Sequence, residues 1–194
     1  EQGIALYEPQ RHHSLALREG SGIGPRTMSL AFLAYTLWFL GYPDQALTRS
    51  HEAHARAQEF SHPFNLTRVL SCAALFHLFR GEGHAAQEQA ERLTTVSTAQ
   101  GFGLGVAQGI SLRGRALAEQ GQVEEGIVQM RQGRAVFQAM GSDLGRTSSL
   151  AGLAEAYGEV GQREEGLSLL AEALTAVDKT GERYYEAELY RLKG

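Results

Sequence analysis

Several groups of residues in the chain have types and spacings that could support chemistry. Gly20-Ser21-Gly22-Ile23-Gly24 has the G-x-G-x-G spacing of a phosphate cradle, in which glycines let backbone N–H groups approach an anion. No strand signal precedes it, no Lys-Ser or Lys-Thr pair follows, and Pro25 favours a turn, so it reads as a loop. His51-Glu52-Ala53-His54 sets two histidines three positions apart on a helix, a grip for a metal only if a neighbour supplied a third ligand. The spacing is not the H-E-x-x-H of zinc proteases, and the pair reads as surface histidines; His12 and His13 read the same way. His77 falls on the core-facing side of an apolar stretch near Phe76 and Phe79, and is expected to be buried and satisfied. Glu124-Glu125 and Glu164-Glu165 open two helices, where carboxylates favour the positive end of the helix dipole. No serine or cysteine stands with a histidine and a carboxylate in a nucleophile context, so no enzyme activity, metal or cofactor is expected.

Composition narrows the class further. The chain has 194 residues, 43% of them hydrophobic, enough for a continuous core. Cys72 is the one cysteine, which rules out an internal disulfide and leaves a buried thiol as the expectation. Net charge is −4 and the 18 basic residues are scattered, so no stripe suited to nucleic acid exists. The longest apolar run, Leu30 to Leu40, is interrupted by Tyr35, Thr36 and Trp38 and falls short of a bilayer span. No membrane partner is expected. Without a basic-then-apolar leader at Glu1-Gln2-Gly3, a cytoplasmic location is the expectation.

The elements that would carry these residues follow from a repeat. Glycine recurs every twenty residues at Gly81, Gly101, Gly121, Gly141, Gly161 and Gly181, with Gly41 in register and Ser61 in the gap. Glycine closes helices in the left-handed conformation, so each marks a helix end. Alternate segments differ, making the unit forty residues: helix A, a tight turn, helix B and a longer connection. The spacing predicts helix A over 27–40, 65–80, 105–120 and 145–160, helix B over 43–60, 83–100, 123–140 and 163–179, and a fifth helix A from near Arg183. Leu30, Leu70, Ile110, Leu150 and Tyr190 share one core-facing phase; Ala34, Ala74, Gly114, Ala154 and Gly194 share another. Helix B repeats small residues at Ala46, Ala86, Gly126 and Gly166, and again at Ala53, Gly133 and Ala173, which lets helix axes approach closely.

This placement of small residues resembles the tetratricopeptide repeat, whose hairpins close on one small residue in helix A and two, seven apart, in helix B. Ala34, Ala46 and Ala53 match that pattern, as do Ala154, Gly166 and Ala173. Leu93 departs from it, and a period of forty exceeds the usual thirty-four or so, which longer helices or a HEAT-like array would explain. The resemblance implies an all-α fold, a right-handed superhelical stack of antiparallel hairpins. The runs Gly41-Tyr42-Pro43-Asp44-Gln45-Ala46-Leu47, Ala118-Glu119-Gln120-Gly121 and Gly181 to Gly194 are similar to the C-terminal repeat region of large bacterial signalling ATPases and nucleotide-cyclase regulators. Units would then run 27–61, 62–101, 102–141 and 142–181. A partial helix B and irregular linker at 1–26 precede them, weakly ordered from Glu8 to Pro25, and a truncated fifth helix A follows at 182–194. Such a cut at both ends would expose core and favour homo-oligomers.

In that family the A helices line the concave face. Its register places Tyr35, Trp38 and Phe39 there from the first unit, Arg68, Ser71, Leu75 and Phe79 from the second, Gln108, Ser111, Arg115 and Glu119 from the third, and Ser148, Glu155 and Glu159 from the fourth. The face would run from aromatic to mixed to acidic, suiting a partner with an apolar anchor and basic groups. Trp38 and Phe39 would otherwise pack on a preceding repeat. Arg115 and Glu155 could pair across adjacent A helices; alternatively Arg68 and Arg115 would bind a partner's carboxylate or phosphate by two-point contact. The expected function is a non-catalytic scaffold binding a protein or peptide in the groove, with a small-molecule sensor relaying to an ATPase or cyclase domain as the alternative.

Overall fold

The computed structural model describes residues 25–59, 62–143 and 145–194. The expectations on Glu1 to Tyr7, His12, His13 and Gly20 to Gly24 fall outside them. The described residues form nine helices and no strand: α1 (Pro25–Phe39), α2 (Pro43–Glu59), α3 (Pro63–Phe79), α4 (Gly83–Ala99), α5 (Gly103–Glu119), α6 (Val123–Ala139), α7 (Arg146–Glu159), α8 (Arg163–Thr180) and α9 (Glu186–Lys193). No helix among them is long and apolar enough to cross a membrane.

The twenty-residue glycine period is a turn period. Gly81 and Gly121 sit at φ +68° and +83°, and their counterparts along the period share that conformation. The residue after each glycine donates its N–H to the carbonyl five positions back: Tyr42 to Leu37, Glu82 to His77, Phe102 to Ser97, Gln122 to Leu117, Ser142 to Phe137 and Gln162 to Tyr157, all at 2.8–3.0 Å. These bonds satisfy helix carbonyls that would otherwise be orphaned. Gly181 closes α8 differently, through one bond from its own N–H to Val177.

Two expectations on the elements need correction. The connection from helix B to the next helix A is not generally longer: Gln100–Phe102 between α4 and α5 matches Arg80–Glu82 between α3 and α4. Only the connections after α6 and α8 are longer. The second and third A helices also begin two residues early, at Pro63 and Gly103; at Pro63 the proline is preorganised for the first helical turn and no N–H is lost there.

Consecutive helices pack against one another in chain order, and each odd-numbered helix also touches the next odd one, from α1 through to α9. Of the even-numbered helices, α6 and α8 are joined by a side-chain contact, Arg134 to Glu172 at 2.6 Å. Leu30, Leu70 and Leu150 are fully buried, as their shared phase requires, and burial of each contributes about 2 kcal/mol. Ile110 is half-buried, while Tyr190 is 57% exposed and Leu189 takes the core place expected for it. The cause lies in α9, which starts at Glu186, so that Tyr185 and Leu189, one turn apart, form its buried stripe. Every small residue named on helix B is buried. At Gly126 an added Cβ would stand 2.5 Å from the Gly114 carbonyl oxygen and 3.0 Å from the Ala118 nitrogen, so α5 and α6 touch backbone to backbone.

Candidate functional site

The odd-numbered helices share a cleft of about 480 Å³, to which α1, α3, α5, α7, α9 and the α8–α9 connection all contribute side chains. One wall is aromatic. Phe39 lies 5.3 Å from Phe79 between ring centroids, Phe79 lies 6.2 Å from Tyr185, and Tyr35 meets Phe79 edge-on at 5.9 Å. Trp38 rests edge-on against Phe76 at 5.7 Å. Trp38 and Phe39 thus pack on α3. Phe39 nevertheless remains 56% exposed, which leaves part of its ring facing the open space.

The lining is also charged. Arg115 donates from Nη2 to the Tyr185 hydroxyl at 3.0 Å, a contact that joins α5 to the segment before α9. Its aliphatic stem crosses Gly152, where a Cβ would come within 3.1 Å of Cδ, so a glycine at 152 in α7 is what lets the arginine lie flat. Burial works against the Arg115 charge, but Tyr185, Glu155 and Glu119 outweigh it and hold the guanidinium charged more firmly than usual. The expected Arg115–Glu155 ion pair does not form. Glu155 pairs with Arg191 of α9 at 3.3 Å, and Arg191 also meets Glu188 at 2.6 Å.

A neighbouring cleft of about 350 Å³ continues this lining, sharing Arg115, Glu119 and Glu155 and adding Glu159. Burial raises the Glu119 carboxyl above the usual carboxylate range; Arg115 opposes the rise and Glu155 adds to it. Glu159 is raised by burial first and then by the charges of Glu155 and Glu119. Both side chains are nevertheless exposed, so solvent screens the repulsion among these carboxylates.

The remaining expected groove residues divide between two fates. Gln108, Ser111 and Ser148 meet Leu75 and Arg115 around a smaller space of about 60 Å³ between α3, α5 and α7, adequate for a water or two but not for a peptide. Ser71 is only 5% exposed, and it belongs to the core of α3, contrary to its expected place on the groove. Arg68 lies near Tyr35 and Cys72, whose titrations it influences, and lines none of these spaces. Arg68 and Arg115 therefore share none of these three spaces. Tyr184, Tyr185, Glu188 and Arg191 were absent from the expected set; the run Tyr184-Tyr185 just after Gly181 is the signal that would have found them.

The other chemical candidates have structural roles. His77 is half-buried at the end of α3, contrary to full burial, with Nδ1 2.7 Å from Glu82. Arg80 also binds Glu82, and its guanidinium, with His77 adding, lowers that carboxyl to about 2. Glu52 gathers Arg26, Arg49 and Arg56. Burial lowers the His54 imidazole, with Arg92 and His51 adding. Among the described residues no three His, Cys, Asp or Glu side chains are grouped to hold a metal. Cys72 is buried, which raises its thiol, and its carbonyl accepts the Tyr35 hydroxyl at 2.8 Å. Glu124, Glu125, Glu164 and Glu165 occupy first turns of α6 and α8. No family model matches the chain, and no curated protein matches it.

Proposed function

We propose that the helices form a right-handed superhelix of tetratricopeptide-like hairpins and act as a non-catalytic protein-interaction scaffold. Its setting would be the cytoplasmic part of a larger bacterial signalling ATPase or cyclase regulator. What supports this reading is a turn repeated every twenty residues, small residues at each hairpin contact, and odd-numbered helices that pack on one another more closely than even-numbered ones do. Stacking that is tighter on one side curves an array toward that side and makes the odd helices its inner surface. The single observation that carries the functional reading is the cleft to which all five odd helices contribute, lined by Trp38, Phe39 and Phe79 together with Arg115, Glu119 and Glu155. An extended or helical peptide would lie along it, its apolar residue on the rings.

A peptide selected from a random display library against the whole chain would test this by NMR shift mapping. Shifts should move at Trp38, Phe79 and Glu119 and stay still on the outward sides of α2, α4 and α6; the reverse pattern overturns the reading. The cleft volume also favours a second reading, a small-molecule sensor, since about 480 Å³ lies within the range of small-ligand sites. A metabolite that raised the melting temperature saturably, with no peptide able to compete, would select the sensor.

A further inference from the structure

We propose that a small oxyanion, the phosphate or carboxylate group of a soluble ligand, binds where α5, α6 and α7 meet, with Ser149 at its centre and Arg115, Arg134 and Arg146 around it. The proposal does not depend on a peptide in the aromatic cleft. An opening of about 240 Å³ lies between α6 and α7, and Arg134, Gln138, Asp143, Arg146 and Ser149 line it. Behind it is the space of about 60 Å³ between α3, α5 and α7, which Arg115 lines. Ser149 and Phe137 line both, so the two spaces adjoin there.

Two buried donors in this place have nothing to bind. The Ser149 hydroxyl and the Arg115 Nε–H have no hydrogen-bond partner among the described residues. A buried donor without an acceptor is destabilising, and more so when it carries charge. Arg115 commits Nη2 to the Tyr185 hydroxyl, while its Nε stands over Gly152, 3.4 Å from where a Cβ would be. Gly152 itself lines the inner space. Among the described residues no carboxylate lines that space, and Arg115 is its one charge. Water accepts hydrogen bonds but must also donate them, whereas an oxyanion only accepts and brings the charge that Arg115 lacks there.

The opening adds two more guanidinium groups. Glu172 accepts from Arg134 Nη2 at 2.6 Å and from Arg146 Nη2 at 2.9 Å, and Asp143 accepts from Arg146 Nη1 at 3.0 Å. Nε and Nη1 of Arg134 and Nε of Arg146 take no part in these bonds. Three guanidinium groups thus surround the two spaces against two carboxylates, and a third anion would balance them. The inner space takes a group of a few heavy atoms, and the opening takes the remainder of the ligand.

The test follows the arginine Nε–H resonances of the full chain by ¹H–¹⁵N NMR, assigned with Arg115→Lys, Arg134→Lys and Arg146→Lys. The probes are inorganic phosphate, acetate and neutral acetamide, at an ionic strength fixed with sodium chloride. The Arg115 and Arg134 resonances should move saturably with phosphate or acetate and stay still with acetamide. Ser149→Ala removes a hydroxyl that bonds nothing in the free protein and should weaken the anion about tenfold; circular dichroism checks that the variant keeps its helices.

Saturation by phosphate at lower concentration than acetate assigns a phosphate ligand, and the reverse order assigns a carboxylate; either supports the site. No movement, or an unsaturable drift shared by every arginine, overturns the proposal. Acetamide acting as well as acetate overturns it in favour of ordered water and neutral ligands. Unchanged affinity in Ser149→Ala overturns the placement at Ser149, and movement of Arg134 and Arg146 with Arg115 still overturns the inner half of the site.

Discussion

In the α5–α6 hairpin, Gly114 and Gly126 let two backbones meet so closely that a Cβ at either would stand within 2.6 Å of the other's carbonyl oxygen. Across the cleft, by contrast, Phe39, Phe79 and Tyr185 bridge α1, α3 and the α8–α9 connection through their rings, with centroids 5.3–6.2 Å apart. The hairpin is specified by what is missing from its side chains, the cleft by what its side chains reach. The difference teaches where the molecule is rigid and where it has room to bind. A contact between backbones has no rotamer to adjust, whereas rings and arginines can move to admit a ligand.

Substitutions should separate the two regions. Tyr185→Ala carries the largest expected cost, about 3 kcal/mol, because a ring 3% exposed is lost together with the acceptor for Arg115. Urea unfolding should show that loss, with α9 released from Glu155 and Phe79. Gly126→Ala comes next: a clash of about 3 kcal/mol against immovable backbone, less about 1 kcal/mol gained in helix propensity, gives a net loss of about 2 kcal/mol. If that variant were neutral in urea, the hairpin would not be as tight as described. Gly158→Ala is its counterpart, since nothing lies within 4 Å of the added Cβ, and propensity alone should stabilise by about 0.5 kcal/mol.

The smallest effect belongs to Glu82 in the turn after α3. Its carboxyl is held at about 2, below its unfolded value, so its contribution is complete above about pH 4.5 and fades as pH falls toward 2. The side chain is 36% exposed, and solvent screening limits the gain to roughly 0.5 kcal/mol. Glu82→Gln should therefore lower the melting temperature slightly at pH 7 and make no difference at pH 2; an equal loss at both would show that the bond to Arg80 and His77 has no charge dependence.

The hairpins were legible in the sequence because their determinants are local. A glycine every twenty residues fixes the turns, and alanines and glycines seven apart fix the helix contact, both within one unit. Half of the cleft was legible for the same reason: Trp38, Arg115, Glu119 and Glu155 fall on one side of helix A in their units, and the structure brings them together. Ser71 falls nearly on that side, yet α3 is flanked by α1, α2, α4 and α5 and buries more of its circumference than an end helix does. Tyr185 could not be placed from periodicity, since it precedes α9, and its partners Phe79 and Arg115 lie far away along the chain. The three-residue delay in the start of α9 likewise moved burial from Tyr190 to Leu189, a shift a strict repeat cannot anticipate.

The central claim is that the segment before α9 crosses to α3 and closes one side of a cleft between helices distant in sequence. Ring-proton cross-relaxation between Phe79 and Tyr185, in protein labelled selectively at phenylalanine and tyrosine, tests it most directly. With centroids 6.2 Å apart the ring edges fall within reach, so a cross-peak is expected in the wild type and should vanish in Tyr185→Ala. A wild-type spectrum in which both rings are assigned and no such cross-peak occurs would contradict the account.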